Sequence, residues 1–370
     1  MQATNQPLLQ PFRMGDLNLR NRVVMAPLTR SRADNKRRVP TDLHVEYYKQ
    51  RAGAGLIISE GAQVSERGIG YINTPGIHNE EQAEAWKKVT DAVHEEGGRM
   101  FVQLWHCGRI SHPKFHDGEK PLAPSAINPN TQVFTDEGLQ PTAEPKEMSI
   151  QEIQQTIMEF RNAAVMAKKA NFDGIELHAA NGYLFHQFFN KNANLRTDDY
   201  GGNIPNRARF FFDVLEICTE VWAENRIGCH FNPSFTDKAG ITATDETIAT
   251  FDYIIDKLNA YNLAYVHVSE PFTDVSDIPY LEKEVAKHYR PIYKGTLMAN
   301  KDFDRESGNK IIEEGIADLV SFGKLFISNP DLPERFRNKW PTAEWDQDTF
   351  YTSGPKGYTD YPPYKKEEVS

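Results

Sequence analysis

Residues 172–183 read FDGIELHAANGY. The first half, FDGIEL at 172–177, is a short run rich in apolar residues. The second half turns polar at once, with His178, Asn181 and Tyr183. Seven other runs share the length and character of the first half: 22–26 (RVVMA), 54–59 (AGLIIS), 100–105 (MFVQLW), 226–231, 264–268 (AYVHV), 293–299 and 317–322 (ADLVSF). Most are continuously apolar instead of alternating, as in strands buried on both faces of a parallel sheet.

Helical signals fill the gaps. Asn79 caps one helix, with Gln82 three residues on, Gly97 past its end, and an apolar stripe of Trp86, Val89 and Val93. Ser149 and Glu152 form a capping box ahead of Ile153, Ile157, Phe160 and Ala164. Phe210, Val214, Ile217 and Val221 repeat that spacing after Pro205, and Ile248, Phe251, Ile255 and Leu258 mark another helix. Shorter candidates lie at 43–52 and 306–315. Eight strands alternating with helices predict an α/β fold, a (β/α)8 TIM barrel. The rival, an open doubly wound sheet, usually carries a Gly-rich nucleotide loop after its first strand. Neither GxGxxG nor a P-loop pattern occurs.

Three embellishments stand out. Residues 11–20 read as an N-terminal hairpin turning at Gly15–Asp16, a plug for the bottom of the barrel. Residues 106–149, with six prolines, follow the third strand, and an irregular stretch at 270–290 follows the sixth. Both leave C-terminal strand ends, where long loops serve as lids or binding loops. Residues 1–370 are expected to form a single barrel domain with a lid at about 106–149.

Composition narrows the function. The 370 residues include 42 Lys and Arg against 52 Asp and Glu, a net charge of -10, which disfavours nucleic acid and anionic membrane as partners. Hydrophobic residues at 39% and charged residues at 25% exclude disorder. No apolar run approaches the ~18 residues of a membrane span. The start, MQATNQPLLQPFRMG, lacks a basic segment followed by an apolar one, so a cytoplasmic protein is expected. Cys107, Cys218 and Cys229 have no paired spacing, which argues against a disulfide framework or structural zinc. Cys107 reads as a small packing residue ahead of a reactive thiol.

Active sites of such barrels lie at the C-terminal strand ends. His178 and Asn181 can both donate to one carbonyl or nitro oxygen, and Tyr183 supplies a weak acid of ordinary pKa about 10. That set suits a reaction in which charge develops on oxygen and a proton then reaches carbon. A satisfied polar loop is the alternative.

The stretch from His178 to Arg209, HAANGYLFHQFFNKNANLRTDDYGGNIPNRAR, resembles the Old Yellow Enzyme family of FMN-dependent ene-reductases. So do MAPLTRSRA at 25–33, GKLFISNPDLPERF at 323–336 and TFYTSGPKGYTDYP at 349–362, in the family's order over about residues 8–364. The nearest branch holds the N-ethylmaleimide and oxophytodienoate reductases. The resemblance implies FMN across the top of the barrel and NADPH or NADH as reductant. It implies that Pro27, Leu28 and Thr29 line the flavin, that Gly61 lets the backbone approach the ring, and that Gln103 meets the pyrimidine edge. His178 and Asn181 would hold the substrate oxygen, Tyr183 would protonate the α-carbon, and Trp105, Tyr351 and Tyr71 would shape the pocket. Enones, maleimides or nitro compounds are the implied substrates, and a monomer or homodimer the implied state.

Two departures follow from the same comparison. The family places Arg on the fifth strand, in a pattern like G-x-R-x-S-P, by the pyrimidine edge of the flavin; here Gly228-Cys229-His230-Phe231-Asn232-Pro233 puts His230 there. An imidazole need not be charged at pH 7, so a lowered or pH-sensitive flavin potential is expected. At the phosphate site, Lys301-Asp302 after Asn300 replaces a Gly pair, and Gly323-Lys324 replaces Gly-Arg. Lys balances phosphate only as a point charge, and Asp302 is unfavourable beside it unless turned away, so weakened FMN binding is expected.

Other classes fare worse. A Schiff-base aldolase would need a desolvated lysine, and Lys324 is better used on phosphate. No metal is expected: Glu176 and His178 share a strand face, but the spacing brings no further histidine to them. A catalytically silent flavin-binding barrel is the serious rival, because of His230 and Lys301-Asp302.

Overall fold

The computed structural model describes residues 6–365, so the first and last five residues of the expected domain lie outside the described residues. Eight parallel strands close into a barrel in sequence order. They are β1 (Val23–Met25), β2 (Leu56–Gln63), β3 (Met100–Trp105), β4 (Gly174–Ala179), β5 (Ile227–Phe231), β6 (Tyr265–Ser269), β7 (Leu297–Asn300) and β8 (Leu319–Phe322). Each overlaps an expected run. The second extends past its expected end to Gln63, across an irregular register between Ile58 and Gly61. The seventh begins late, because Tyr293 closes a turn onto the Tyr289 carbonyl.

The helices follow their caps. Asn79 accepts from the Gln82 amide ahead of the helix Glu80–Glu95, and the Ser149–Glu152 box opens Ile150–Lys169. Helices at Asp42–Gln50, Ile204–Thr219, Thr247–Lys257 and Arg305–Glu313 complete the expected set.

The barrel interior changes character along its axis. Its N-terminal end is apolar: Val24, Leu56, Ile58, Phe101, Tyr265, Met298 and Leu319 pack on Met14, Leu17 and Leu19. Those three belong to the antiparallel hairpin Phe12–Met14/Leu17–Leu19, the expected plug. Side chains alternate along a strand, so the next inward position on each strand is two residues further on. There the same columns turn polar, with Gln103, His267, Asn300 and Ser321. The alternation thus delivers a sealed base and a polar layer toward the C-terminal mouth.

The two long loops are more ordered than expected. The stretch 106–149 contains a hairpin, Gln132–Thr135 paired with Gly138–Pro141, and a short parallel pair, Leu122–Ala123 with Lys146–Glu147. The Phe134 carbonyl accepts from the Ile72 amide, so the hairpin leans on the segment carrying Tyr71. Within 270–290 a short helix forms at Val285–Tyr289, capped by Glu270, whose carboxylate accepts from the Val285 and Ala286 amides.

Two of the sequence motifs are fastened together. Arg30 donates to the Phe350 and Gly357 carbonyls, and buried Arg32 donates to those of Thr349, Phe350, Gly354 and Lys356. The segment after β1 and the C-terminal strap therefore form one wall of the mouth.

Candidate active site

The turn after β4 is built on two consecutive left-handed residues, Asn181 (φ 57°) and Gly182 (φ 84°). A Cβ on Gly182 would lie 2.7 Å from Ala239, so that position requires glycine twice over. Gln187 holds the turn, donating to the Gly182 carbonyl (2.8 Å) and the Cys107 carbonyl (3.0 Å). Tyr183 then starts the short helix Leu184–Phe189.

His178, Asn181 and Tyr183 come together as expected. The His178 and Tyr183 rings lie 5.1 Å apart, and Trp105 packs edge-on to Tyr183 at 4.9 Å. Tyr71 stacks on Trp105 at 5.6 Å, and its hydroxyl accepts from Tyr183 at 3.4 Å. Loss of solvent pushes the Tyr183 phenol well above its usual pKa, with Tyr71 and Cys107 adding to the effect. It pushes His178 well below 6.5, helped by His230, His267 and His186. Both groups are therefore neutral at pH 7.

Asn232 was missed as a functional residue. Its amide nitrogen donates to Asn181 Oδ1 at 2.9 Å, which turns the Asn181 amide so that its N–H groups remain to be used. Its position two residues past His230, on the same strand face, was the available signal. Asn232→Leu is expected to weaken binding of a phenol about tenfold, the worth of one hydrogen bond to the ligand. Titration against the wild type checks it, and equal affinities would show that Asn181 is oriented otherwise.

Behind this pocket lies a polar layer of unexpected continuity. Gln103 donates to Glu176 at 2.8 Å, and His267 Nδ1 to the other Glu176 oxygen at 3.0 Å. Ser321 meets His267 Nε2 at 2.8 Å and accepts from Asn300 at 2.7 Å. Ser269 donates to Asn300 Oδ1 at 3.3 Å and meets His230 Nε2 at 3.0 Å. His178, His230 and His267 occupy matching registers on β4, β5 and β6 and stack, at 5.5 Å and 4.1 Å between ring centres.

The expectation that no further histidine reaches Glu176 is thus corrected: Glu176, His230 and His267 bring ligand-type atoms within 4.8 Å of one another. Barrel closure does this, joining residues 91 positions apart. The His230 and His267 rings are inclined by only 17°. Their in-plane lone pairs run side by side instead of converging, and both His267 nitrogens are already engaged.

The remaining expected site residues divide. Pro27, Leu28 and Thr29 are half-buried along the mouth, as a lining would be. Gly61 has a reason of its own within the chain: a Cβ there would lie 2.6 Å from the Trp105 ring, so it makes room for the indole. Asn300 spends its amide inside the barrel on Ser321 and Ser269, leaving only backbone for a ligand. Tyr351 is 67% exposed at the rim, packs edge-on to Phe350, and lies near enough to Tyr71 and Tyr183 to act on their phenols. Lys301 and Asp302 both adopt left-handed backbone, at φ 90° and 57°. The Asp302 carboxylate is turned outward, 75% exposed, and pairs with the Lys301 ammonium. Lys324 is exposed over the Trp345 ring, and beside Gly323 a Cβ would meet only Leu28, at 3.4 Å.

The mouth suits a flat, polar-edged cofactor. The buried His178 Nδ1 and His230 Nδ1 atoms have no partner, and Gly323 leaves open room at the expected phosphate end.

Residues 7–343 match the family model described as NADH:flavin oxidoreductase / NADH oxidase family. The chain is 40% identical to 12-oxophytodienoate reductase 1 of Oryza sativa subsp. japonica, over 96% of this chain and 93% of the relative. It is 39% identical to 12-oxophytodienoate reductase 2 of Arabidopsis thaliana, over 96% and 95%. Among solved structures, morphinone reductase superposes with a TM-score of 0.91 at 42% identity, covering 98% of each chain. The old yellow enzyme homologue from Zymomonas mobilis gives 0.91 at 37%, covering 96% of this chain and 99% of that one.

Proposed function

Because the chain belongs to the NADH:flavin oxidoreductase / NADH oxidase family, the Old Yellow Enzyme group of FMN-binding oxidoreductases, we propose that it reduces the activated C=C bond of α,β-unsaturated carbonyl or nitro compounds. The observation that carries this reading is the convergence of His178, Asn181 and Tyr183 over one pocket floored by Trp105. Such donors, fixed before substrate arrives, are what a developing oxyanion needs.

FMN, when bound, supplies hydride received from NADPH or NADH. The protein's part is positional. Gln103 has committed its amide nitrogen to Glu176, and its oxygen would be left to help hold the pyrimidine edge. His178 and Asn181 hold the substrate oxygen and draw charge onto it. Tyr183 would hold the proton for the α-carbon on its buried hydroxyl. Trp105 and Tyr71 close one side of the pocket and shut out water.

Anaerobic titration with NADPH and then 2-cyclohexenone tests this. Flavin absorbance is expected to bleach with NADPH and return with the enone. A flavin that NADPH does not bleach favours the silent barrel.

Cofactor affinity should respond to the altered loop. Lys301 cannot give its full charge to phosphate while it pairs with Asp302. Asp302→Asn is expected to tighten FMN about fivefold at low salt, the upper range for an exposed ion pair. Wild-type protein is expected to lose flavin on long dialysis sooner than the variant. Full retention by the wild type would contradict the weakened site.

A further inference from the structure

The hydrogen bonds around Asn300 set the direction of the one that reaches His230. Asn300 donates its N–H to Ser321 and accepts the Ser269 hydroxyl proton on Oδ1. Ser269, having given away its proton, accepts from His230, so His230 carries its proton on Nε2. What remains on His230 is Nδ1, a bare acceptor, buried and without a partner among the described residues. A buried acceptor is costly to leave unmade. It also faces the wrong way chemically for a pyrimidine edge that presents acceptors of its own.

We propose that His230 takes up one solvent proton on Nδ1 as the cofactor accepts hydride, and releases it when the hydride leaves for substrate. This rests on the reading that His230 stands at the pyrimidine edge of FMN. The sum balances. NAD(P)H, oxidised flavin, neutral His230 and one proton give NAD(P)⁺, reduced flavin bearing one negative charge, and cationic His230. In the second half the substrate gains hydride and the Tyr183 proton, Tyr183 is reprotonated from solvent, and His230 returns its own proton to solvent. One proton is consumed per turnover, but in the first half instead of the second.

The surroundings make the site responsive. Facing His230 are His178 and Glu176 on β4, and His267 and Ser269 on β6; Gln103 and the Tyr265 phenol face Glu176. Among the described residues, no lysine or arginine acts on Glu176, His178, His230 or His267. Burial, with His267, pushes the imidazole down to about 3, so it is neutral at rest. A unit negative charge about 4 Å away, at an effective dielectric of about 20, raises such a group by about three pKa units. That carries it into the range of ordinary buffers. A raised group holds its proton below the new pKa and loses it above, so uptake grows as pH falls.

The test is proton counting with an indicator dye in weak buffer, under anaerobic conditions, on FMN-loaded protein mixed with NADPH. Uptake per flavin reduced is expected to approach one below about pH 5 and to vanish above about pH 8. In His230→Gln and His230→Arg, the reductive half takes up none and the enone half takes up one. The midpoint potential of the wild type should steepen, relative to His230→Arg, by about 30 mV per pH unit below the transition, one proton per two electrons. Flavin that bleaches in the wild type with no uptake overturns the proposal and leaves the ene-reductase reading intact. Uptake that persists in both variants places the proton on another group and also overturns it. Flavin that does not bleach is a failure of the reading itself.

Discussion

Replacing Tyr183 by Phe is expected to slow alkene reduction by about 10²–10⁴-fold, the usual worth of a positioned general acid. Reduction of the flavin by NADPH should be intact, because that half needs no proton on carbon. The ring survives the change, and with it the edge contact on Trp105 at 4.9 Å. Only the hydroxyl is lost, together with its 3.4 Å bond to Tyr71. The pH profile sharpens the test. Burial raises the Tyr183 phenol well above 10, and a raised acid stays protonated to higher pH. Single-turnover oxidation of the reduced wild type by an enone should therefore show no alkaline fall due to Tyr183 below about pH 10. Nitroester cleavage needs no carbon protonation and should survive in Tyr183→Phe. Unchanged alkene turnover in that variant would remove Tyr183 from the acid role.

The strands were legible because burial on both faces leaves an apolar mark that needs no partner to be read, as in Met100–Trp105. The cluster His178, Asn181 and Tyr183 was legible for a related reason: a strand followed by a tight turn brings its polar residues together locally. The layer running from Gln103 through Glu176, His267, Ser321, Asn300 and Ser269 to His230 was not. Alternation marks these side chains as inward, but which of them meet depends on how the strands are staggered around the closed barrel. The hairpin at 132–141 was hidden by its own residues. Phe134 and Leu139 are large, apolar and exposed, so the period-two pattern that would reveal a strand is masked. Tyr351 is a different case. Its segment is held by Arg30 and Arg32 through backbone carbonyls, which fixes the chain and leaves the aromatic ring free at the surface.

The second large effect concerns the two oxygen-binding donors. His178→Ala and Asn181→Ala are each expected to cost about 10²–10³ in turnover and to weaken phenol binding, as loss of one preorganised oxyanion donor does elsewhere. Their pH behaviour separates a neutral donor from a cationic one. His178 is held well below 6.5 by desolvation and then by His230, His267 and His186, so it donates as a neutral imidazole across the physiological range. Phenol affinity in the wild type should therefore show no break from His178 between about pH 6 and pH 8. A break there that vanishes in His178→Ala would mean that the imidazole binds as a cation. Asn181 needs a further control. It sits at φ 57°, where asparagine is tolerated and alanine is strained, so its replacement disturbs the turn as well as the donor. Asn232→Leu leaves Asn181 and its backbone in place and removes only the bond that aims its amide. If both variants weaken phenol binding while NADPH still bleaches the flavin at the wild-type rate, the amide itself is the donor. If only Asn181→Ala does so, the loss belongs to the strained turn.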